Sequence, residues 1–118
     1  MPDRRRVVVT GIGLRTPIGH SLAEMAEAFR QGRTGVRAMP EWRKIDPLRT
    51  AVAGVCEGLD ETAVPRHCRR AMGRVAVLAA LSATDALVDA GIGEERIASS
   101  RCGVSFGSTA GSSQAMED

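Results

Sequence analysis

The sequence predicts an α/β fold, and three observations carry that expectation. Arg6–Thr10 contains three consecutive valines, Val7, Val8 and Val9. A continuous β-branched run suits a strand buried on both faces, as in a parallel sheet between helix layers. The run enters a glycine turn at Gly11 and Gly13, and a helix follows. A polar connection, a second helix and a second strand come next, the order of an α/β domain built outward from its first strand.

Composition narrows the function classes. At 118 residues the chain is one domain or part of one. Its aromatic residues are Phe29, Trp42 and Phe106, with no tyrosine. The core must therefore be Val, Leu, Ile, Ala and Met, and the scarcity of stacking platforms weakens a single-stranded nucleic-acid reading. A net charge of +2 is too small to point to a polyanion partner. Cys56, Cys68 and Cys102 are odd in number, with no CxxC and no nearby histidine pair. That pattern speaks against a zinc site or a disulfide framework and for reduced, buried thiols. No apolar run approaches the roughly 20 residues of a membrane span. The charged start, MPDRRR, leads into a strand rather than an apolar signal segment, so the expected location is the cytoplasm.

Each element has a local cause. Pro17 and Gly19 delay the first helix until Ser21, where Ser21 and Glu24 form an S-x-x-E capping box. In such a box the serine accepts from the N3 amide and the glutamate reaches back to the N-cap amide. Leu22, Met25, Ala26 and Phe29 recur at helical spacing on one face, and Gly32 is a natural C′ residue. Arg33–Thr50 reads as a surface connection broken by Pro40 and Pro47, and Ala51–Val55 as a short strand. Residues 56–65 are irregular. Arg66–Ala90 reads as a long helix in two pieces around Gly73, closed by Gly91. Its second piece is nearly apolar all round, which predicts burial on more than one side. Arg101–Gly107 reads as the second strand. It ends in a small-residue turn over Gly107–Ser113, and a helix is expected from near Ser112. A chain that stops about two turns into a helix is expected to be the N-terminal part of a longer protein.

The familiar motifs fail in specific ways. Gly11-Ile12-Gly13 opens like a dinucleotide fingerprint, but Thr16 stands where the third glycine belongs and Pro17 where the helix should run. His20 follows Gly19 where a P-loop needs lysine. The two glycines are better explained by close backbone packing. His20 and His67 have no partner at metal or triad spacing and read as surface residues. Arg66, Arg69, Arg70 and Arg74 would share one helix face. Such a run is either a solvated face or a docking face for an acidic partner.

Several stretches in order resemble one family. Arg5–Gly13 (RRVVVTGIG), Pro17–Gly19 (PIG), Gln31–Val36 (QGRTGV), Ala71–Arg74 (AMGR) and Gly103–Gly111 (GVSFGSTAG) are similar to the opening of bacterial type II elongating β-ketoacyl-acyl-carrier-protein synthases. Met39–Trp42 and Ala71–Arg74 look closest to the condensing enzymes of aryl-polyene pathways. The resemblance spans all 118 residues. It implies a thiolase-like fold in which 1–118 is part of the N-terminal βαβαβ half of a five-layered α-β-α-β-α structure, with the apolar helix over 74–90 between the two sheets. It also implies a homodimer, or a heterodimer with a related ketosynthase-like subunit.

The family chemistry is acyl transfer from acyl carrier protein to a cysteine thiol, followed by decarboxylative condensation with malonyl-carrier protein, with no cofactor and no metal. The resemblance places no catalytic residue in this chain. Cys56, Cys68 and Cys102 do not stand in the Thr-Ala-Cys setting of the nucleophile, and His20 and His67 do not match the catalytic histidine motifs. Residues 1–118 alone are expected to be inactive. Two other roles carry over. Ala110, flanked by Thr109 and Gly111, corresponds to the residue that gates the acyl pocket. Arg66, Arg69 and Arg70 fit the face that contacts the acidic carrier protein. Two alternatives stay open: a non-catalytic, chain-length-factor-like partner, and an unrelated small α/β binding domain.

Overall fold

The computed structural model describes residues 4–112. Helix α1 (Leu22–Arg30) starts where the capping box predicts. The Glu24 amide donates to Ser21 Oγ at 3.2 Å. The return bond differs by one residue: Glu24 Oε2 accepts from the His20 amide at 2.7 Å rather than from Ser21. α1 closes in a Schellman turn, with Arg33 N–H donating to Ala28 O at 2.8 Å and Gly32 at φ 61°. Ala28 is the buried residue of α1, and Phe29, on the expected apolar face, is 65% exposed.

Strand β1 (Val36–Ala38) pairs antiparallel with β2 (Val52–Gly54), Arg37 lying opposite Ala53. β2 lies within the expected Ala51–Val55 strand. β1 corrects the expectation that Arg33–Thr50 is featureless, as does a 3₁₀ helix over Pro40–Lys44. Three residues are too short to show a period in sequence, and β1 exists because β2 lies beside it. Pro40 does not break the 3₁₀ helix because it occupies the first turn, where its missing N–H leaves nothing unpaired.

A further 3₁₀ turn, Glu61–Ala63, leads to α2 (Arg66–Arg69), α3 (Arg74–Asp89) and α4 (Glu94–Ile97). Gly73, extended at ψ 167°, separates α2 from α3 as expected. Gly91, at φ 63°, closes α3. Among the described residues the core cluster is Val64, Val77 and Leu81, with Leu59, Cys68, Met72 and Ala80 against them. α3 is covered on less of its circumference than its apolar composition predicts, and Val88 is 76% exposed.

Two expected strands are not paired among the described residues. Arg6–Thr10 and Arg101–Gly107 make no ladder, and Val7 and Val104 stand 94% and 92% exposed. All the hydrogen bonds of a strand run to a neighbouring strand. The only ladder among the described residues is the β1–β2 pair. The helix expected from near Ser112 lies in residues 113–118, outside the described residues.

Candidate functional site

α3 sets the frame for the candidate residues. A helix leaves its first four amides without intrahelical partners. The N-cap of α3 is Gly73, which has no side-chain oxygen to offer. The Val75 N–H instead donates to Ser112 Oγ at 3.1 Å. This bond brings the small-residue turn after Arg101–Gly107 to the N-terminus of α3. Within the turn, the Gly111 N–H donates to Ser108 Oγ at 3.0 Å, and Gly111 adopts φ 64°, a left-handed conformation that favours glycine. Thr109, Ala110 and Gly111 lie between those two hydrogen bonds and are exposed.

The arginines are arranged differently from the expectation of one face. Arg66 and Arg69 lie on α2, and Arg70 is its C-cap. Arg66 and Arg70 are exposed and Arg69 is half-buried. Arg74 belongs to the next helix, because the extended Gly73 breaks the helical register. The Arg74 guanidinium bonds the Cys56 carbonyl and lies 3.7 Å from the Glu61 carboxylate. The sequence spacing assumed an unbroken helix, so the predicted run of four reduces to three, with Arg74 turned to a structural task.

The loop Gly11–His20 packs on α3 at its other end. A Cβ on Gly13 would collide with the Ser82 carbonyl and lie 2.6 Å from the Ala86 nitrogen, so only glycine fits this approach. Arg15, its side chain 14% exposed, pairs with Asp85 and donates to the carbonyls of Leu14 and, at 3.2 Å, His20. Ile12 N–H donates to Asp89 Oδ2 at 2.9 Å. A cleft of about 300 Å³ lies here, lined by Ile12, Leu14, His20, Leu22, Asp85 and Asp89. Both carboxylates are engaged by the loop. Among the described residues, no group of three His, Cys, Asp or Glu side chains is placed to hold a metal ion.

The cysteines do not form a reactive centre. Cys56 is half-buried and its Sγ donates to the Thr16 carbonyl at 3.6 Å. Burial pushes this thiol up, against the opposing pull of Arg74 and Arg15, so it is protonated at neutral pH. Cys68 is half-buried. Cys102 is exposed, contrary to the expectation of a buried thiol, because its segment pairs with no strand among the described residues. His67 is exposed as expected, whereas His20 is half-buried, its backbone carbonyl accepting from Arg15.

Sequence reasoning missed Ser112 and Arg15. A helix opening on glycine with no capping side chain signals that an acceptor must come from elsewhere, but not from where. Arg15, a lone charge in an otherwise apolar turn, calls for a counter-ion. Asp85 and Asp89, a helical turn apart on a nearly apolar helix, were the available partners.

The chain belongs to the β-ketoacyl synthase family: residues 4–118 match the model of the "Beta-ketoacyl synthase, N-terminal domain". The fold is accordingly a partial α/β structure of the thiolase-like type. The chain is 32% identical over 108 residues to 3-oxoacyl-(acyl-carrier-protein) synthase 1 of Haemophilus influenzae, covering 92% of this chain and 26% of that protein. It is 31% identical over 115 residues to the tetracenomycin polyketide synthase ketoacyl synthase alpha subunit of Streptomyces glaucescens, covering 96% and 26%. The crystal structure of a β-ketoacyl synthase from Burkholderia phymatum superposes with a TM-score of 0.69 at 38% identity, over 78% of this chain and 23% of that one. The ishigamide ketosynthase/chain length factor superposes with a TM-score of 0.64 at 30% identity, over 80% and 23%. The chain thus spans about a quarter of the length of its curated relatives.

Proposed function

We propose that the protein is a β-ketoacyl-acyl-carrier-protein synthase. It would carry out decarboxylative Claisen condensation of an enzyme-bound acyl group with malonyl-carrier protein, in fatty acid or polyene and polyketide synthesis. The observation that carries this is the family match over 4–118, supported by relatives named as 3-oxoacyl-carrier-protein and polyketide synthases. In this chemistry an acyl group passes from the carrier thiol to an enzyme cysteine. Loss of CO₂ from the malonyl group then gives a carbanion, which attacks the acyl thioester and releases the enzyme cysteine. A thiolate at a helix N-terminus suits the first step, and oxyanion donors suit the second. Cys56, held protonated, is unsuited to the nucleophile's role. The catalytic cysteine and histidines are assigned to the part of the relatives that this chain does not span.

Residues 1–118 supply scaffold, pocket wall and docking face. Ala110, with Thr109 and Gly111, forms a wall of the acyl pocket. Its methyl group leaves more room than a bulky aliphatic residue and suits longer or stiffer chains. Arg66, Arg69 and Arg70 receive the acidic acyl carrier protein by charge complementarity. The whole protein acts in the cytoplasm as a homodimer, or as a heterodimer with a related subunit. No helix among the described residues is long and apolar enough to cross a membrane.

The test uses the full-length protein with acyl- and malonyl-carrier protein, reading CO₂ and the 3-oxoacyl product. Turnover by the protein alone supports the synthase. Turnover that requires a second ketosynthase subunit, and survives replacement of this protein's own cysteine, assigns it to the non-catalytic partner role. Likeness to the ishigamide ketosynthase/chain length factor favours keeping that second reading. Reversing Arg66, Arg69 and Arg70 to glutamate should raise KM for the carrier protein at least about tenfold, an effect that salt diminishes. An unchanged KM would remove these arginines from the docking face.

A further inference from the structure

We propose that Ser112 is a positioning residue for acyl-chain selectivity: it caps α3 from outside the helix and so fixes the Thr109–Gly111 turn. The inference rests on the reading of that turn as a pocket wall. A side-chain cap normally comes from the residue just before the helix and accepts from the N2 or N3 amide. In α3 the preceding residue is Gly73, and N2 is Val75. The Val75 N–H finds its acceptor 37 residues later, in Ser112 Oγ. A serine after the turn thus does what the N-cap cannot, and the same bond ties the turn to the helix.

The turn is also braced from within. Ser108 Oγ accepts from Gly111 N–H, and the left-handed Gly111 reverses the chain between the two serines. The Ala110 methyl group sits in this braced turn, so its place depends on the Ser108 brace and on the Ser112 tie to α3. Val75 is only partly buried, and the start of α3 keeps the Val77 N–H bond to the Gly73 carbonyl whether or not Ser112 is present. Losing the hydroxyl therefore frees the turn more than it weakens the helix.

The test is made in the full-length enzyme, comparing kcat/KM for a long and a short acyl-carrier protein alongside the melting temperature. Ser112→Ala should change the long-to-short ratio about fivefold, the scale of one ordinary hydrogen bond. Ser112→Thr keeps the hydroxyl and should stay near the wild-type ratio. Gly73→Ser gives α3 its own cap, which competes for the Val75 amide. It should shift the ratio in the same direction as Ser112→Ala with no loss of melting temperature, and it serves as the test should Ser112→Ala fail to fold. Ala110→Ile reports on the wall itself. If Ala110→Ile moves the ratio while Ser112→Ala and Gly73→Ser leave it unchanged, the wall stands and the positioning role of Ser112 is overturned. If none of the variants moves the ratio, the pocket-wall reading fails and the proposal falls with it.

Discussion

Residues 4–10 and 11–20 adjoin in the chain, yet the structure treats them oppositely. Gly11–His20 is pinned to α3 by the Arg15–Asp85 pair, the Ile12–Asp89 hydrogen bond and the close seat of Gly13. Arg4–Thr10 makes no ladder, and its valines stand open to solvent. Both are coded by strong local signals. The difference is in what each needs from the rest of the molecule. A glycine or an ion pair needs one partner atom group, and α3 supplies each of them. A strand needs a whole parallel or antiparallel edge, and the same holds for Arg101–Gly107.

The largest expected effect is in hydrogen exchange of the full-length protein. If the two bare segments are inner strands of a thiolase-like sheet, amides of 7–9 and 103–106 should exchange on the order of a thousandfold or more slowly than an unpaired chain, as core strands do. The continuous run Val7–Val9 and the apolar Val104 and Phe106 give the motive, since exposing these side chains together is costly. Free exchange at both segments would make them surface arms, and the α/β expectation built on Arg6–Thr10 would lose its first observation.

A smaller but still large effect belongs to the pinned side. Gly13→Val would drive a branched side chain into the Ser82 carbonyl and the Ala86 nitrogen, both main-chain atoms of α3 that cannot turn aside. Overpacking against backbone should destabilise the protein by about 3 kcal/mol or more, read as a fall in the denaturation midpoint at unchanged slope. A variant as stable as the parent would show that the loop is free to lift from α3. The distinction drawn between the two neighbouring stretches would then vanish.

What could be seen in the sequence follows the same division. The start and end of α1, the break at Gly73 and the close of α3 at Gly91 were legible because caps and C′ glycines act within four residues of each other. The need for glycine at 11 and 13 was legible as close packing, though not that α3 was the surface approached. β1 was not legible, since three residues take their pairing from β2. The arginine face was misread at Arg74 because spacing assumes an unbroken helix, and Gly73 ends it. Of the candidate site, Ala110, Thr109 and Gly111 came from the family resemblance rather than from any physical signal in their own side chains. Ser112 stayed hidden because a cap supplied from 37 residues away leaves no local pattern.

The smallest effect tests how local the pinned side is. Ser21 and Glu24 stabilise the start of α1 from within one turn, so their removal should weaken α1 without touching the contacts on α3. Ser21→Ala leaves the Glu24 amide without its acceptor and should cost about 1 kcal/mol, the usual value of an N-cap. Glu24 adds a pH dependence. The His20 backbone N–H bonded to its carboxylate holds the group below its ordinary range, helped by the charge of His20 and opposed by partial desolvation. A carboxyl whose value is lower folded than unfolded contributes stability above its unfolded value of about 4.3, and loses it as pH falls through the folded value. Acid titration of the wild type should therefore show a larger loss of stability below about pH 4.3 than Glu24→Gln does, since the lowered carboxyls of Glu57 and Asp60 remain in both. If Glu24→Gln keeps the full acid response, the return bond to His20 contributes nothing. The start of α1 would then rest on Ser21 and on the anchoring of Arg15 to the His20 carbonyl.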